Sequence, residues 1–275
     1  MRSTASRTWN WATDTDFWRR SALTVAVLGG LVAFLLLAPR GYDWKWTAVW
    51  RDGNYASYII GGMWVTFYVS MGALVIAIFV GIAAGLARLS KNWVWNQLAT
   101  IYVELVRGTP LLVQIYVAWF CVTIAVRDTL EAAGASAGLL DISQDKIFWG
   151  ILTLGVFAGA YVAEIVRAAL LSIDKGQTEA ALSQGMTRKQ VLRFVLFPQA
   201  LRRMIPPLTG QLVSLVKDSS LLSVIAILEL TKRASEVRGA THNTFEVFLP
   251  LAALYLAICF PLSWVARRLE LRLAD

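Results

Sequence analysis

Four charged side chains lie within or beside long apolar stretches of this 275-residue chain, and their types and positions could support ligand chemistry. Glu164 directly follows the 17 uncharged residues Ile147–Ala163. Lys217 and Asp218 divide a second apolar stretch, and Arg107 precedes 19 uncharged residues. A charge at the centre of a membrane-spanning helix costs at least about 2.5–3.5 kcal/mol. Each of the four therefore requires a protein partner, water or a ligand.

Glu164 shares one helix face with Tyr161 and Arg167, because each lies three residues away from it. Its carboxylate is predicted either to meet the ammonium group of a substrate or to pair with Arg167. At 1.5 Å per residue, Glu164 lies roughly 26 Å along a helix that starts at Ile147. That depth is near the inner edge of the membrane.

Lys217 and Asp218 are neighbours in the sequence, so they lie about 100° apart around a helix and cannot pair side by side. We expect one of them to face a pathway and the other to contact a neighbouring helix. Lys217 could meet a substrate carboxylate, and Ser219 and Ser220 could donate hydrogen bonds. A purely structural role for this segment is the alternative.

Arg107 lies three residues after Glu104, and an ion pair on one helix surface is the simplest account of it. The residues that follow, Gly108, Thr109 and Pro110, are expected to break or kink the helix. Backbone groups freed by such a break could line a cavity. Arg107 and Thr109 are therefore candidates for a substrate pathway.

The composition indicates an integral membrane protein. Hydrophobic residues make up 57% of the chain and charged residues 16%, which excludes a small soluble globule, a disordered chain and a disulfide scaffold. The net charge of +8 is expected to sit in cytoplasmic loops rather than to bind nucleic acid. A single histidine and two cysteines in apolar runs predict no metal site. No Gly-Lys pair occurs, so a P-loop is excluded and any use of ATP belongs to another chain.

The apolar stretches predict six membrane-spanning helices, because a span needs roughly 20 residues and these runs do not alternate as barrel strands do. The inner segments would hold 16 Lys and Arg against eight in the outer ones, which places both termini in the cytoplasm. The first stretch could instead be a secretory signal, although no Ala-x-Ala pattern follows it. The six are Ala22–Ala38, Ile59–Ala87, Gly108–Val126, Ile147–Ala163, Met204–Val216 with Ser219–Leu228, and Val247–Ala266.

Small and aromatic residues indicate how these spans pack and contact lipid. Gly81 with Gly85, and Gly155 with Gly159, have the four-residue spacing that lets two helices approach closely. The 12 tryptophans include several beside the predicted spans, as expected for anchors at a membrane surface.

The long loop after the fourth span predicts two short helices. Thr178 is expected to cap the first and Gly185 to end it in a left-handed conformation. Thr187 is expected to cap the second helix, and Pro198 to stop it. Between them Ala180, Ala181 and Leu182 would form a small, shallow knob suited to a partner's groove. An ordinary helical hairpin at the membrane surface is the alternative.

The same loop resembles the signature loop of binding-protein-dependent ABC importer permeases. It has Glu179-Ala180-Ala181, three residues, Gly185, nine residues and then Val195-Leu196-Phe197-Pro198. The family usually has Ile at the position of Val195 and Leu at that of Phe197. Three further stretches resemble the polar amino acid branch, and the resemblance covers residues 57–270. These stretches are Arg107–Gln114, Ala160–Arg167 and Leu215–Leu221.

The resemblance implies an all-α integral membrane fold of the type I importer kind, with a five-helix core at 57–270. Residues 1–56 would add a cytoplasmic N-terminus, an extra helix and an outer loop. The chain would form the pathway for polar or charged L-amino acids in a bacterial inner membrane, with the 177–199 loop as its ATPase-coupling segment. The implied pathway residues are Glu164, Tyr161, Lys217, Asp218, Ser219, Arg107 and Thr109, and the implied coupling residues are Glu179, Ala180, Ala181, Gly185 and Pro198.

The implied partners are a cytoplasmic ABC ATPase dimer, a second permease subunit and a periplasmic or tethered substrate-binding protein. The second permease could be an identical chain or a sister chain. The chain itself would not be an enzyme and would need no cofactor. An ATP-independent channel or carrier for small polar solutes is the alternative function, supported by the charges within the spans. A membrane-embedded enzyme is poorly supported, because the chain has one histidine and no obvious pair of facing carboxylates.

Overall fold

The computed structural model describes residues 42–51 and 54–273, together with Ala22, Ala26, Gly29, Gly30 and Ala33. The chain forms two compact units, 1–44 and 45–275. Nearly all of the predicted first span, Ala22–Ala38, lies outside the described residues.

Every regular element of residues 45–273 that the structure describes is helical, as the sequence predicts. The short helix α1, which lies in the predicted N-terminal segment 1–56, belongs to the second unit and packs against its other helices. The helices are α1 (Trp46–Trp50), α2 (Tyr55–Arg88), α3 (Trp93–Gly108), α4 (Leu111–Ala132), α5 (Ala137–Ser143), α6 (Lys146–Leu171), α7 (Lys175–Ser183), α8 (Arg188–Ile225), α9 (Leu230–Thr241) and α10 (Thr244–Leu273).

Four helices of the described chain are long and apolar enough to cross a membrane: α2, α4, α6 and α10. A fifth span results if α8 and α9 are taken together as one span, bent by 48°. The four helices match four of the predicted stretches from Ile59 onward, while the fifth stretch, Met204–Val216 with Ser219–Leu228, lies largely within α8, and α9 lies beyond it. Lys217 and Asp218, which divide that stretch, end the regular part of α8, and a tight 3-10 turn, Ser219–Ile225, and a break follow before α9.

Helices α2 and α6 pack closely through their glycines. A Cβ atom added to Gly85 would lie 2.8 Å from the carbonyl oxygen of Ala163, and one on Gly81 would lie 3.0 Å from that of Gly159. On the other side of the contact, a Cβ on Gly155 would lie 3.1 Å from the carbonyl oxygen of Ala73. The predicted close approach of these helices is confirmed, and any side chain in place of these glycines would push the helices apart.

The break between α8 and α9 is held by a buried carboxylate. Ala226 has a positive φ of 60°, which turns the chain out of the 3-10 helix. Glu229 then caps α9 by accepting hydrogen bonds from the backbone N–H of Thr231 at 2.8 Å and of Lys232 at 2.7 Å. The hydroxyl of Tyr255 on α10 donates to the same carboxylate at 3.0 Å. The break is therefore a defined turn rather than a loose loop.

Candidate functional site

A cavity of about 310 Å³ lies between α6, α8 and the start of α4, and we call it the central cavity. Two of the predicted pathway residues, Tyr161 and Asp218, line it. The full lining is Leu111, Phe157, Tyr161, Gln211, Ser214, Asp218 and Leu221. The walls thus combine apolar and aromatic side chains with a carboxylate, an amide and two hydroxyls, as in many small-molecule sites.

Asp218 shares a face of α8 with Gln211 and Ser214, because the spacing of seven and four residues returns to one side of a helix. Within the described residues, no side chain or backbone donor pairs with its carboxylate. The carboxylate can therefore accept hydrogen bonds from a cationic group that enters the cavity. Sequence reasoning missed Gln211 and Ser214, although counting helical turns back from Asp218 would have found them.

Lys217 and Ser219, the neighbours of Asp218, do not line the central cavity. Lys217 is exposed. Ser219 is buried, and its hydroxyl donates to the carbonyl oxygen of Val216 at 2.9 Å. The two adjacent residues thus face different ways, as neighbours on a helix do, with Asp218 on the side of the central cavity and Lys217 exposed.

Arg107 lies with its guanidinium carbon 5.2 Å from the centre of the Tyr161 ring, which is a cation–π contact. Among the ion pairs of the described residues, none joins Arg107 to Glu104, so the helix-surface pair considered from the sequence is absent there. The Tyr161 ring also packs against Phe157, with centroids 5.2 Å apart. Arg107 is thus held beside a residue of the central cavity.

Thr109 lies at the predicted break between α3 and α4, away from the central cavity. The side-chain amide of Gln114 donates to the carbonyl oxygen of Val106 at 2.8 Å and to that of Thr109 at 3.2 Å. The hydroxyl of Thr109 donates to the carbonyl oxygen of Leu105 at 2.9 Å. The backbone groups freed by the break thus find partners inside the protein, and Thr109 faces a mostly apolar groove between α4 and α6.

Glu164 lies one turn beyond Tyr161 on α6 and has two arginine partners. One carboxylate oxygen accepts from the guanidinium of Arg88 at the end of α2, and the other from Arg167, whose Nε is 3.0 Å away. The three side chains are partly shielded, with 28% of Glu164, 17% of Arg88 and 33% of Arg167 exposed. The pair with Arg167 considered from the sequence is present, while Arg88, which lies 76 residues away, was not foreseen.

In the described part of the chain, no group of three His, Cys, Asp or Glu side chains could hold a metal ion. Cys121 is exposed and Cys259 is buried, and both are free thiols.

We keep the name coupling segment for the loop 177–199, for which the resemblance implies that role, and the predicted first short helix is present there as α7. Asp174 caps α7 by accepting from the backbone N–H of Gly176 at 2.6 Å, so the prediction that Thr178 is the cap was wrong. The helix begins three residues before Thr178 because an acidic cap was available earlier in the chain. Gly185 has a φ of 83°, which confirms the predicted left-handed ending.

Beyond Gly185 the chain starts α8 with the predicted cap. The hydroxyl of Thr187 accepts from the backbone N–H of Gln190, and the Gln190 side chain accepts from that of Thr187. The prediction that Pro198 stops this helix was wrong, because α8 continues to Ile225. A wide helical turn at Val191–Leu196 precedes Pro198, which then lies in the first turn of the next regular stretch, where its missing N–H is tolerated.

The expected knob of three small side chains is only partly exposed. Ala181 is 6% exposed and faces the protein, whereas Leu182 is 40% exposed, and Glu179 and Ala180 are also at the surface. The side chain of Arg203 on α8 donates to the hydroxyl of Ser172 at 2.6 Å, just before the coupling segment. The outer face of α7 therefore presents Glu179, Ala180 and Leu182 to solvent, and the contact between Arg203 and Ser172 joins the chain before α7 to α8.

Comparison with known proteins identifies relatives along most of the chain. Residues 73–275 match the family model described as binding-protein-dependent transport system inner membrane component. The chain is 35% identical over 231 residues to the glutamine transport system permease protein GlnP of Escherichia coli strain K12, which covers 84% of this chain and 98% of that protein. It is 38% identical over 223 residues to the probable glutamine ABC transporter permease protein GlnP of Bacillus subtilis strain 168, covering 80% and 95%.

The chain is also similar to a permease named for other amino acids and to two solved transporter structures. The glutamate/aspartate import permease protein GltJ of Escherichia coli strain K12 is 34% identical over 221 residues, covering 78% of this chain and 89% of that protein. A crystal structure of an amino acid ABC transporter with histidines superposes with a TM-score of 0.70 at 28% identity, covering 84% of this chain and 100% of that one. An inward-facing MetNI methionine ABC transporter shares the fold, with a TM-score of 0.56 at 22% identity.

Proposed function

The chain belongs to the family of binding-protein-dependent transport system inner membrane components, and from this premise we propose that it forms the pathway of an amino-acid importer. The observation that supports this most directly is the central cavity, in which the unpaired carboxylate of Asp218 faces Tyr161. An amino acid carries an ammonium group that such a carboxylate would bind. Relatives named for glutamine and for glutamate/aspartate favour polar or charged amino acids as cargo.

Two further side chains in or next to the central cavity fit the same ligand. Gln211 offers both a donor and an acceptor to a polar side chain, and the cationic Arg107, stacked on Tyr161, is placed to attract a carboxylate. Of the other residues considered for the pathway, Lys217 and Ser219 lie off the cavity surface and Thr109 faces a separate groove. Glu164 contributes by joining α2 to α6 through its two arginines rather than by direct contact with the cargo.

The coupling segment would dock on a separate ATPase pair. The support is its exposed helix α7, whose Glu179 and Ala180 face outward, and the left-handed Gly185, which directs the chain back into α8. The other two predicted coupling residues would support the segment from inside the protein. Ala181 packs inward, and Pro198 lies inside α8. ATP hydrolysis then takes place on the partner, and this chain transmits the movement.

The proposed assembly has three further parts. A second permease subunit, of the same or a sister chain, would complete the pathway, and a substrate-binding protein would deliver the amino acid on the outer face. The excess of Lys and Arg in alternate loops supports a multi-pass arrangement in a bacterial inner membrane with both termini in the cytoplasm. In that arrangement the coupling segment lies on the ATPase side.

Reconstitution tests the proposal. The purified permease, with its co-purified ATPase and its binding protein, is placed in liposomes and uptake of labelled glutamine and glutamate is measured with and without ATP. We expect uptake only with ATP and the binding protein. Glu179→Arg and Gly185→Val should abolish it while membrane insertion persists, since Gly185 adopts a φ of 83° that a branched side chain disfavours. The matched control Glu131→Arg, at an exposed site on α4, should retain uptake.

Two results would contradict this assignment. Uptake by the permease alone, with no ATPase present, would make the chain a channel or carrier. Normal ATP-driven uptake in both variants of the coupling segment would show that this segment is not the docking site.

A further inference from the structure

A second cavity, of about 520 Å³, lies at the opposite end of the bundle from the coupling segment, and we call it the distal cavity. It forms where α6 begins and the chain breaks between α8 and α9. Because α6 runs from Lys146 to Leu171, its first residues are at the far end from α7. The distal cavity has mostly apolar walls, formed by Val65, Ile147 and residues 226–228, and four charged or polar residues also line it: Gln144, Asp145, Lys146 and Arg233.

Arg233 is fixed in this cavity by three contacts. Its Nε donates to the carbonyl oxygen of Leu228 at 2.9 Å, and its Nη1 donates to that of Tyr58 at 3.0 Å. The guanidinium carbon lies 4.8 Å from the centre of the Tyr58 ring. A Cβ on Gly61 would lie 2.7 Å from Nη1, so the absence of a side chain at Gly61 makes room for the guanidinium. An arginine held in this way is preorganised for a ligand.

The charge of Arg233 has no acidic partner in the part of the chain that the structure describes. The ion pairs there involve other arginines and Lys232, and none includes Arg233. A guanidinium has five N–H donors, and only Nε and Nη1 donate to the protein. The remaining donors can form the paired hydrogen bonds that arginine makes with a carboxylate.

A negative charge faces the same space. Asp145 caps α6 by accepting from the backbone N–H of Ile147 at 2.8 Å, and its carboxylate also lines the cavity. Lys146 adds a second cation, placed 5.9 Å from the centre of the Trp119 ring. The distal cavity therefore presents both signs of charge, as a zwitterion requires, with cations in excess.

The two cavities lie on either side of one short helical turn. Leu221, in the 3-10 turn Ser219–Ile225, lines the central cavity, and Ile227, just after it, lines the distal one. This turn thus lies between a ligand in the distal cavity and the central cavity that Asp218 lines. The left-handed Ala226 ends the turn and is the joint next to the distal cavity.

We propose that the distal cavity is a receiving site for the zwitterionic head group of the amino acid, with Arg233 binding its carboxylate and Asp145 its ammonium group. This inference rests on the proposed import function, and it adds a site above the central cavity in which the released cargo is held. No covalent step is involved. The cargo would be retained there between its release by the binding protein and its passage to Asp218.

The test measures labelled glutamine taken up per ATP hydrolysed, in liposomes that contain the whole transporter, over a range of concentrations of glutamine-loaded binding protein. Arg233→Gln should lower uptake per ATP about tenfold, the effect of losing about 1.4 kcal/mol of charged hydrogen bonding. The concentration of binding protein at half-maximal rate should not change. Asp145→Asn should lower uptake per ATP severalfold, and it keeps the helix cap because Asn caps as well as Asp.

The control is Arg238→Gln, an exposed arginine on the same helix α9 that does not line the cavity, and it should match the wild type. If Arg233→Gln prevents assembly, Asp145→Asn decides the outcome. Unchanged uptake per ATP in the decisive variant overturns the receiving site. A higher concentration of binding protein at half-maximal rate, with a normal maximal uptake rate, also overturns it, because Arg233 would then be a contact for the binding protein. Failure of the wild type itself to import amino acids would instead overturn the proposed function.

Discussion

Helices α2 and α6 form one part of the bundle, and α8 with α9 form another. The two parts differ in how tightly they pack and in whether their charged side chains are paired. Between α2 and α6 the glycines leave no room for a Cβ atom, and the charges Arg88, Glu164 and Arg167 are paired with one another. Along α8 and α9 the helix breaks, cavities open on both sides of the break, and Asp218 and Arg233 face them.

The difference separates structural charges from charges available to a ligand. A charge in an apolar environment needs compensation in either case. Where the protein supplies the partner, as for Glu164, the charge joins helices together. Where a carboxylate or guanidinium lines a cavity and forms no ion pair among the described residues, as for Asp218 and Arg233, a ligand can supply the partner. We call the paired part the frame, and we propose that binding and movement take place in the broken part.

The largest effect is expected from filling the contact between α2 and α6. Gly85→Ala would put a Cβ atom 2.8 Å from the carbonyl oxygen of Ala163 and 2.8 Å from the Cβ of Val166. Overpacking of this kind costs about 1–3 kcal/mol, which lowers the melting temperature by roughly 3–10 °C. Thermal unfolding of the purified protein measures this.

The matched control is Gly239→Ala on α9, where an added Cβ atom would meet no other atom within 4 Å. There the substitution should be neutral or slightly stabilising, because alanine favours a helix over glycine by about 1 kcal/mol. Equal melting temperatures for the two variants would mean that α2 and α6 can separate without cost, and the contrast between a tight frame and an open part would be lost.

An intermediate effect is expected in the central cavity. Asp218→Asn removes the carboxylate but keeps the shape, so glutamine uptake by the reconstituted transporter should fall about tenfold for the loss of a charged contact of about 1.4 kcal/mol. The melting temperature should stay near that of the wild type, since Asp218 has no protein partner among the described residues. Asp141→Asn, the same change at an exposed site on α5, should alter neither quantity. A lower melting temperature with normal uptake would assign Asp218 to the frame.

The sequence predicts the helices well because its strongest pattern, the apolar run, has a direct physical consequence in lipid. Four of the predicted spans from Ile59 onward and the glycine contacts are found in the structure, and α8 contains most of the fifth apolar stretch. Gly185 was predictable too, since a helix end needs a left-handed residue and glycine adopts that conformation without strain. These are local rules, in which a residue and its immediate neighbours decide the outcome.

Contacts between distant residues could not be predicted from one sequence. Arg88 meets Glu164 across 76 positions, and Arg233 is held by Tyr58 from 175 positions away. The prediction that Pro198 ends the helix was wrong because the wide turn Val191–Leu196 precedes it. Pro198 then lies in the first turn of the next regular stretch, where its lack of an N–H is tolerated. Nothing in the local sequence indicates this wide turn. The sequence shows which charges lie within or beside the apolar stretches, but only the packing separates those with protein partners from those that line a cavity.

The smallest effect is expected from Glu164→Gln, and it tests whether a paired charge acts only in the frame. The change leaves Arg88 and Arg167 without their shared carboxylate. Because all three side chains are partly exposed, solvent screens the loss and we expect about 1 kcal/mol, or a melting temperature lower by roughly 2–4 °C. Glu131→Gln removes the more exposed pair with Arg127 and should change the melting temperature less.

The relative uptake of glutamine and glutamate should not change in either variant. A shift in that preference with Glu164→Gln would mean that the carboxylate contacts the cargo in spite of its two arginines, and pairing would then no longer distinguish the frame from the pathway.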